Sequence, residues 1–243
     1  MFVDQKVNKV CRMGRTSNAD QRLMDAALSL IWERSYGAIT VDDICRKAEV
    51  KKGSFYYFFD SKADLAVAAL DRYWREQKPL WDSQFSPTIE PMQRIRAHCD
   101  AVYRQQVAIK ERTGRVLGCP FCTLGSEICK QDEAIRAKIC EILSNKTKYW
   151  ESAINDAQKE GLAAPGNSAE KARCAMAYFE GLLAQARLHN NAETLASLGD
   201  RVCEHMLASR DSSPGKPSSP SAPTSVETTA PPVESEEFDP TKY

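Results

Sequence analysis

Histidine is scarce. The 243-residue chain has three, His98, His189 and His205. None stands in a recognisable nucleophile arrangement, and no glycine-rich loop of the kind that cradles phosphates occurs. With no catalytic set in view, the chain is not expected to be an enzyme, and no cofactor or metal is expected. Charge of one sign is not in excess either, Lys+Arg and Asp+Glu standing at 33 each. That balance leaves nucleic-acid binding open, because local patches rather than totals decide it. Long apolar runs are missing: no stretch approaches membrane-spanning length, and MFVDQKVNKVCRMGR lacks the core of a signal peptide. No membrane partner is expected, and the cytoplasm is the expected compartment. The nine cysteines are an odd number without the even spacing of a secreted framework. In a reducing compartment most are free thiols. Strand-like alternation is also missing.

Apolar residues instead recur at three and four positions, which predicts an all-α fold. Two ends stand apart. Residues 1–16 form a polar, flexible arm with Lys6, Lys9, Arg12 and Arg15 against Asp4 alone. An arm of that charge suits a DNA minor groove. Residues 210–243 hold more than half of the twelve prolines and almost no large apolar side chain. Such a segment buries too little to offset its ordering entropy and is expected to be a disordered, mildly acidic tail.

Between the ends, local start signals mark the helices. Ser17 with Asp20 opens a first helix, whose stripe is Leu23, Ala26, Ala27, Leu30 and Ile31. Thr40 with Asp43 opens a short second one, with Val41, Ile44, Cys45 and Ala48 inward. Ala48-Glu49-Val50-Lys51 breaks it, and a third short helix runs from about Lys52 to Phe58. Ser61 with Asp64 opens a fourth through Leu65, Ala69, Leu70 and Tyr73. Two short helices joined by a tight turn and backed by a third read as a helix-turn-helix. The stretch KKGSFYYFFDSK, Lys51–Lys62, then has a use for its mixture of charge and aromatic surface. The leading turn of the second helix faces the bases of a major groove. Lys51 and Lys52 stand there to meet phosphate or guanine edges, and Gly53 allows close backbone approach. Phe55 with Phe58 or Phe59 packs inward, while Tyr56 and Tyr57 aim hydroxyls at phosphates. Lys62 is expected to add one backbone contact.

The order of these residues closely resembles the DNA-binding domain of TetR-family transcriptional regulators. The match lies in Thr40-Val41, Ile44, Ala48, Val50, Lys52-Gly53-Ser54-Phe55-Tyr56, Phe59 and Ser61-Lys62-Ala63-Asp64-Leu65. It covers roughly Ser17 to Trp74. The resemblance implies a homodimeric repressor of nine or ten helices, released from a palindromic operator by a small organic effector. It adds Thr40, Val41 and Ser54 to the DNA-contacting residues. The domains expected are a helix-turn-helix over 17–62, with its recognition motif at about 40–59, and a helical effector-binding and dimerisation domain over 63–209. Three positions depart from the family pattern. Glu49 stands where glycine is usual in the turn, Lys51 where serine often caps the recognition helix, and Phe58 where histidine is usual. They bear on which operator is read.

Further helices are expected around Met92–Tyr103, after the loop SQFSPTIEP, around Ile135–Ile154, from Asn167 with Glu170, and from Asn191 to Met206. In the family the last two pair with those of a second subunit. Ala172, Ala175 and Ala186 are the small residues expected to allow that approach. GCPFCTLGSEIC, Gly118–Cys129, resembles a Gly-Cys-x-x-x-x-Leu-x-x-Glu segment that opens the sixth helix beside the ligand pocket in a subset of the family. Cys119 falls at a helix start, where the positive dipole end favours thiolate, with Arg112 and Arg115 near in sequence. Three uses stay open. The cysteines are packing residues beside an apolar pocket of Tyr103, Phe121, Trp150 and Phe179. Alternatively, Cys119 senses electrophiles or oxidants with Cys122 as its resolving partner. The third use is a metal site with His98 or Cys99, for which one Cys-x-x-Cys pair is a weak signal.

Overall fold

The computed structural model describes residues 18–128 and 132–207; the side chains of His205 and Met206 lie outside that description. The basic arm, the Ser17 cap, Cys129 and the tail from 210 also lie outside the described residues. What is described belongs to one compact unit, Met1–Arg210, and among the described residues every regular element is helical.

Three helices build the N-terminal part: α1 (Ala19–Glu33), α2 (Val41–Ala48) and α3 (Lys52–Phe58). All five residues of the expected α1 stripe are buried. Asn18 precedes α1 without a side-chain capping bond. At α2 the capping box is complete: Thr40 Oγ1 accepts from Asp43 N at 3.1 Å, and Thr40 N donates to Asp43 Oδ2 at 3.0 Å. The helix stops because Glu49 turns left-handed, φ 54° and ψ 44°. That conformation costs a side-chain-bearing residue roughly 1–2 kcal/mol, so the missing glycine leaves strain in the turn. Lys51 then enters α3 in extended conformation with no side-chain cap. Phe55 is fully buried and locks α3 onto α1 and α2; Phe59 packs at the edge of the same core, while Phe58 faces outward.

The larger part follows without a break. The helix α4 (Lys62–Gln84), capped by Ser61 accepting from Asp64 N, runs from the helix-turn-helix on into the second part. Then come α5 (Pro91–Thr113), α6 (Pro120–Ile128), α7 (Glu133–Lys159) and α8 (Ser168–Leu188). The α5 start is secured by the Glu90 carboxylate on the amides of Met92 and Gln93, with Pro91 where no amide is needed. Buried Arg94 on α5 donates to Asp156 on α7 at 2.7 Å and to the Ile89 and Pro87 carbonyls, tying the α4–α5 loop to the bundle.

Two expectations change here. The single last helix is instead a 3₁₀ turn (Ala192–Leu195), a four-residue α turn (Leu198–Arg201) and a π turn (Val202–Leu207). Gly199 presses on α5 so closely that an added Cβ would stand 2.9 Å from the Arg96 Cα. Ala172, Ala175 and Ala186, expected at a subunit interface, are fully buried within this chain. Their small size lets α8 pack against its own neighbours. The outward stripe of α8 is a different one: exposed Cys174, Ala177, Gly181, Ala184 and Leu188 recur at spacings of three and four.

Candidate DNA-binding surface and effector cavity

The leading turn of α3 is open. Lys51, Lys52 and Gly53 are exposed, Ser54 is half-buried, and a Cβ on Gly53 would meet nothing within 4 Å. Tyr56 is 54% exposed and Tyr57 75%. Lys52 Nζ lies 3.0 Å from the Asp42 carboxylate on α2, so one expected DNA contact is paired in the free protein. The Thr40 hydroxyl is held by Asp43 at 2.6 Å, and Val41 is half-buried.

Lys62 is placed differently from the expectation. Its ammonium turns inward and donates to the carbonyls of Tyr36 (2.8 Å) and Ile39 (2.9 Å), 4.1 Å above the Tyr36 ring. Burial pushes its pKa down, with nearby Glu127 opposing. The same α1–α2 turn is gripped from the other side by Glu127, near the end of α6. Its carboxylate accepts from Tyr36 N at 2.9 Å, Gly37 N at 2.5 Å and Ser35 Oγ at 2.9 Å. Burial pushes the Glu127 pKa up, but these donors and Lys62 outweigh it, so the carboxyl sits below its ordinary value. One backbone turn is thus clamped by a cation from α4 on its carbonyls and an anion from α6 on its amides.

The other end of α6 borders a cavity of about 320 Å³. Trp32, Tyr73, Trp74, Trp81, Phe121 and Phe179 give it aromatic walls. The polar side chains among them are Gln77, Gln84, His98, Gln105, Gln106, Lys146 and Glu180. Largely apolar walls with sparse polar groups are the usual make-up of a small-molecule site. His98 Nδ1 shares a hydrogen bond with Gln84 Oε1 at 2.9 Å. Burial and then Lys146 push its pKa down to about 3, so the ring is neutral. Lys146 Nζ stands 4.4 Å from the Phe121 ring centre. Of the four pocket residues expected, Phe121 and Phe179 line the cavity. Tyr103 does not; its hydroxyl donates to Glu193 at 2.8 Å on the far side of α5. Trp150 is fully buried behind the wall, 5.4 Å from Phe179.

The α6 start is rigid. Trp32 Nε1 donates to the carbonyls of Leu117 (3.1 Å) and Gly118 (3.2 Å). Gln106 Oε1 accepts from both of those amides, and Arg187 donates to Leu117 O and Thr123 Oγ1. Cys119 follows as the residue before α6, in the cavity wall. The Cys122 thiol lies against it and holds its pKa well down, helped by Lys146 on α7, while burial opposes. Lys146 takes the place expected for Arg112 and Arg115, both of which are exposed. Glu180 on α8 completes a trio: the two Sγ atoms and a Glu180 carboxyl oxygen lie within 4.8 Å of one another. Neither His98 nor Cys99 joins them. Sequence reasoning missed Lys146 and Glu180, though both left a signal. Lys146 falls four residues from Ile142 and four from Trp150 on the buried face of α7, and Glu180 abuts the buried stripe of α8.

Residues 23–69 match the family described as "Bacterial regulatory proteins, tetR family", and residues 91–201 match "Tetracyclin repressor-like, C-terminal domain". The chain belongs to the TetR family. Among its relatives are the transcriptional regulator AcuR of Cereibacter sphaeroides, 29% identical over 79% of this chain and 86% of that protein, and the repressor NemR of Escherichia coli K12, 23% identical over 72% and 87%. A crystal structure of regulatory protein TetR from Rhodobacter sphaeroides superposes with a TM-score of 0.69 at 28% identity, covering 78% of this chain and 99% of that one. The reduced form of E. coli NemR superposes at 0.66 with 21% identity, covering 78% and 97%. TetR-family proteins are DNA-binding transcriptional regulators, not enzymes, and this chain has their N-terminal helix-turn-helix and larger helical C-terminal part. Among the described residues no helix is long and apolar enough to cross a membrane.

Proposed function

We propose that this TetR-family regulator is a cytoplasmic, nucleoid-associated repressor that grips a palindromic operator as a homodimer and releases it when the cavity is occupied. The observation that carries the reading is α6 itself. One end forms cavity wall at Pro120 and Phe121, just after Cys119, and the other holds the α1–α2 turn through Glu127. A shift of α6 by a bound molecule therefore reaches the helix-turn-helix over nine residues. Only a ligand that prefers one of the two states moves the balance. The effector is a small, largely apolar and planar molecule that stacks between aromatic walls and presents an acceptor to Lys146.

DNA contact falls to Lys51, Lys52, Gly53, Ser54, Tyr56 and Tyr57, with Thr40 and Val41 at the start of α2. Lys62 acts indirectly, by setting the turn. Two recognition helices need a separation of about 34–36 Å to enter successive major grooves. The outward α8 stripe, from Cys174 to Leu188, is the face that joins the subunits, with the turns that follow it. Lys52→Ala is expected to weaken operator binding by about 1–3 kcal/mol, and Tyr56→Phe by about 1 kcal/mol, both with unchanged melting temperature. Fluorescence anisotropy on an operator selected from random DNA measures this; parental affinity in both variants refutes the surface assigned.

A second reading is favoured by the placement of Cys119. It stands in the cavity wall ahead of a rigid helix start, with Lys146 lining the same wall, so an oxidant or electrophile that enters meets a thiolate.

A further inference from the structure

Cys119, Cys122 and Glu180 use chemistry that an apolar effector pocket does not need. Cys119-Pro120-Phe121-Cys122 sets one thiol immediately before α6 and the second three residues on, within the first turn. At that spacing the two sulfurs share one side of the helix end, and they lie within 4.8 Å of each other. The helix dipole and Lys146 both favour negative charge at Cys119. Those two positive influences count against a bound cation and for a reactive thiolate. Glu180 is the unexpected member. Both of its carboxyl oxygens are buried without a nitrogen- or hydroxyl-borne hydrogen-bond partner. One of the two lies within 4.8 Å of both thiol sulfurs. An unpaired buried carboxyl costs stability, so its retention here points to work done on protons.

We propose that Cys119 and Cys122 form a dithiol–disulfide couple oxidised by hydroperoxides, with Glu180 moving the protons of both steps. This deepens, and rests on, the second reading above. In the first step the Cys119 thiolate attacks the outer oxygen of the peroxide. An S–O bond forms, the O–O bond breaks, and the Glu180 acid protonates the departing alkoxide, leaving a sulfenic acid, an alcohol and the Glu180 carboxylate. In the second step that carboxylate takes the proton from the Cys122 thiol as its sulfur attacks the Cys119 sulfur. The S–S bond forms, the S–O bond breaks, and the proton passes from Glu180 to the leaving hydroxide to make water. Both thiols are oxidised, the peroxide is reduced, and Glu180 ends as the carboxylate. Burial, and then Cys119, hold Glu180 protonated in the reduced state, with a pKa of about 8. The ionisable groups facing the trio from other elements are Lys146 on α7, Tyr73 on α4 and the neutral His98 on α5.

The test treats the reduced full chain with tert-butyl hydroperoxide and follows oxidation by intact mass and non-reducing peptide mapping. The expected product in the parent is a Cys119–Cys122 disulfide, two hydrogens lighter. Cys119→Ser is expected to form none, and Cys122→Ser to stop at a sulfenic acid that dimedone traps. Glu180→Gln is expected to slow disulfide formation at least tenfold at pH 7 and to accumulate the sulfenic acid. Its closure rate should climb with pH where the parent's stays nearly flat, and Glu180→Asp should restore part of the rate. A stable sulfenic acid in the parent, or the parental rate and pH slope in both Glu180 variants, overturns the proposal. So does zinc binding by the trio that survives the peroxide. Operator release is read separately. A disulfide without release supports the couple and refutes the sensor reading; release without a disulfide refutes the couple alone.

Discussion

Glu127 is the place to break communication without touching either DNA or cavity. Glu127→Ala removes the acceptor for three donors in the α1–α2 turn, two of them backbone amides. Hydrogen bonds to a charged group are worth roughly 1.5–3 kcal/mol each. The turn is partly exposed and water replaces much of what is lost, so the net cost is about 2 kcal/mol. A loss of that size means about thirtyfold lower hydrogen-exchange protection at Tyr36 and Gly37 and a melting temperature about 4–8 °C lower. Lys62 still holds the carbonyls of Tyr36 and Ile39, so the helix-turn-helix stays folded and keeps most of its operator affinity. What falls is the sensitivity of that affinity to whatever occupies the cavity. The sign of the pH effect follows from the lowered carboxyl. The clamp is at full strength above the ordinary value of 4.5 and is lost as pH falls through the lower folded value. Hydrogen exchange resolved to single amides, with anisotropy on operator DNA, measures both effects. Parental protection at Tyr36 and Gly37, with a melting point within about 1 °C of the parent, refutes the clamp.

Other perturbations follow from the same geometry. Glu49→Gly relieves the left-handed strain at φ 54° and is expected to stabilise by about 1 kcal/mol, read as a rise of about 2–4 °C in thermal melting; no rise means that the strain is absorbed elsewhere. Gly181→Arg fills open space on the outward α8 stripe and is expected to turn a dimer into a monomer by sedimentation; an intact dimer sends the interface to another face. Glu180→Gln removes a group that favours the folded state when protonated. The parent should therefore lose stability as pH rises from about 4.5 towards 8. The variant should not, so their melting temperatures diverge with rising pH; parallel curves refute the raised pKa.

Local chemistry was legible and long-range placement was not. The caps at Thr40, Ser61 and Asn167 are each a side chain answering the amide three residues on, so they could be read directly and all form as expected. The recognition helix has no such cap; it was readable from the break at Glu49 and from the order of residues around Phe55. The outward face of α8 was misread because both of its stripes are small: periodicity finds Ala172-Ala175-Ala186 and Cys174-Ala177-Gly181-Ala184 alike and does not say which one its own fold covers. Tyr103 and Trp150 are aromatic and of the right period, yet which residues meet across a cavity depends on helix rotations set by distant contacts such as Arg94 with Asp156. Lys62 looked like a free ammonium because its two carbonyl partners lie 26 and 23 residues earlier.

The tryptophans have a practical consequence. The chain has four; Trp32, Trp74 and Trp81 border the cavity, and Trp150 lies directly behind Phe179 and His98. Intrinsic emission from this protein is accordingly a report from one chamber. A compound that quenches it in an unlabelled fluorescence screen is expected to sit in the cavity, and oxidation of Cys119 in the same wall is expected to register in the same cuvette.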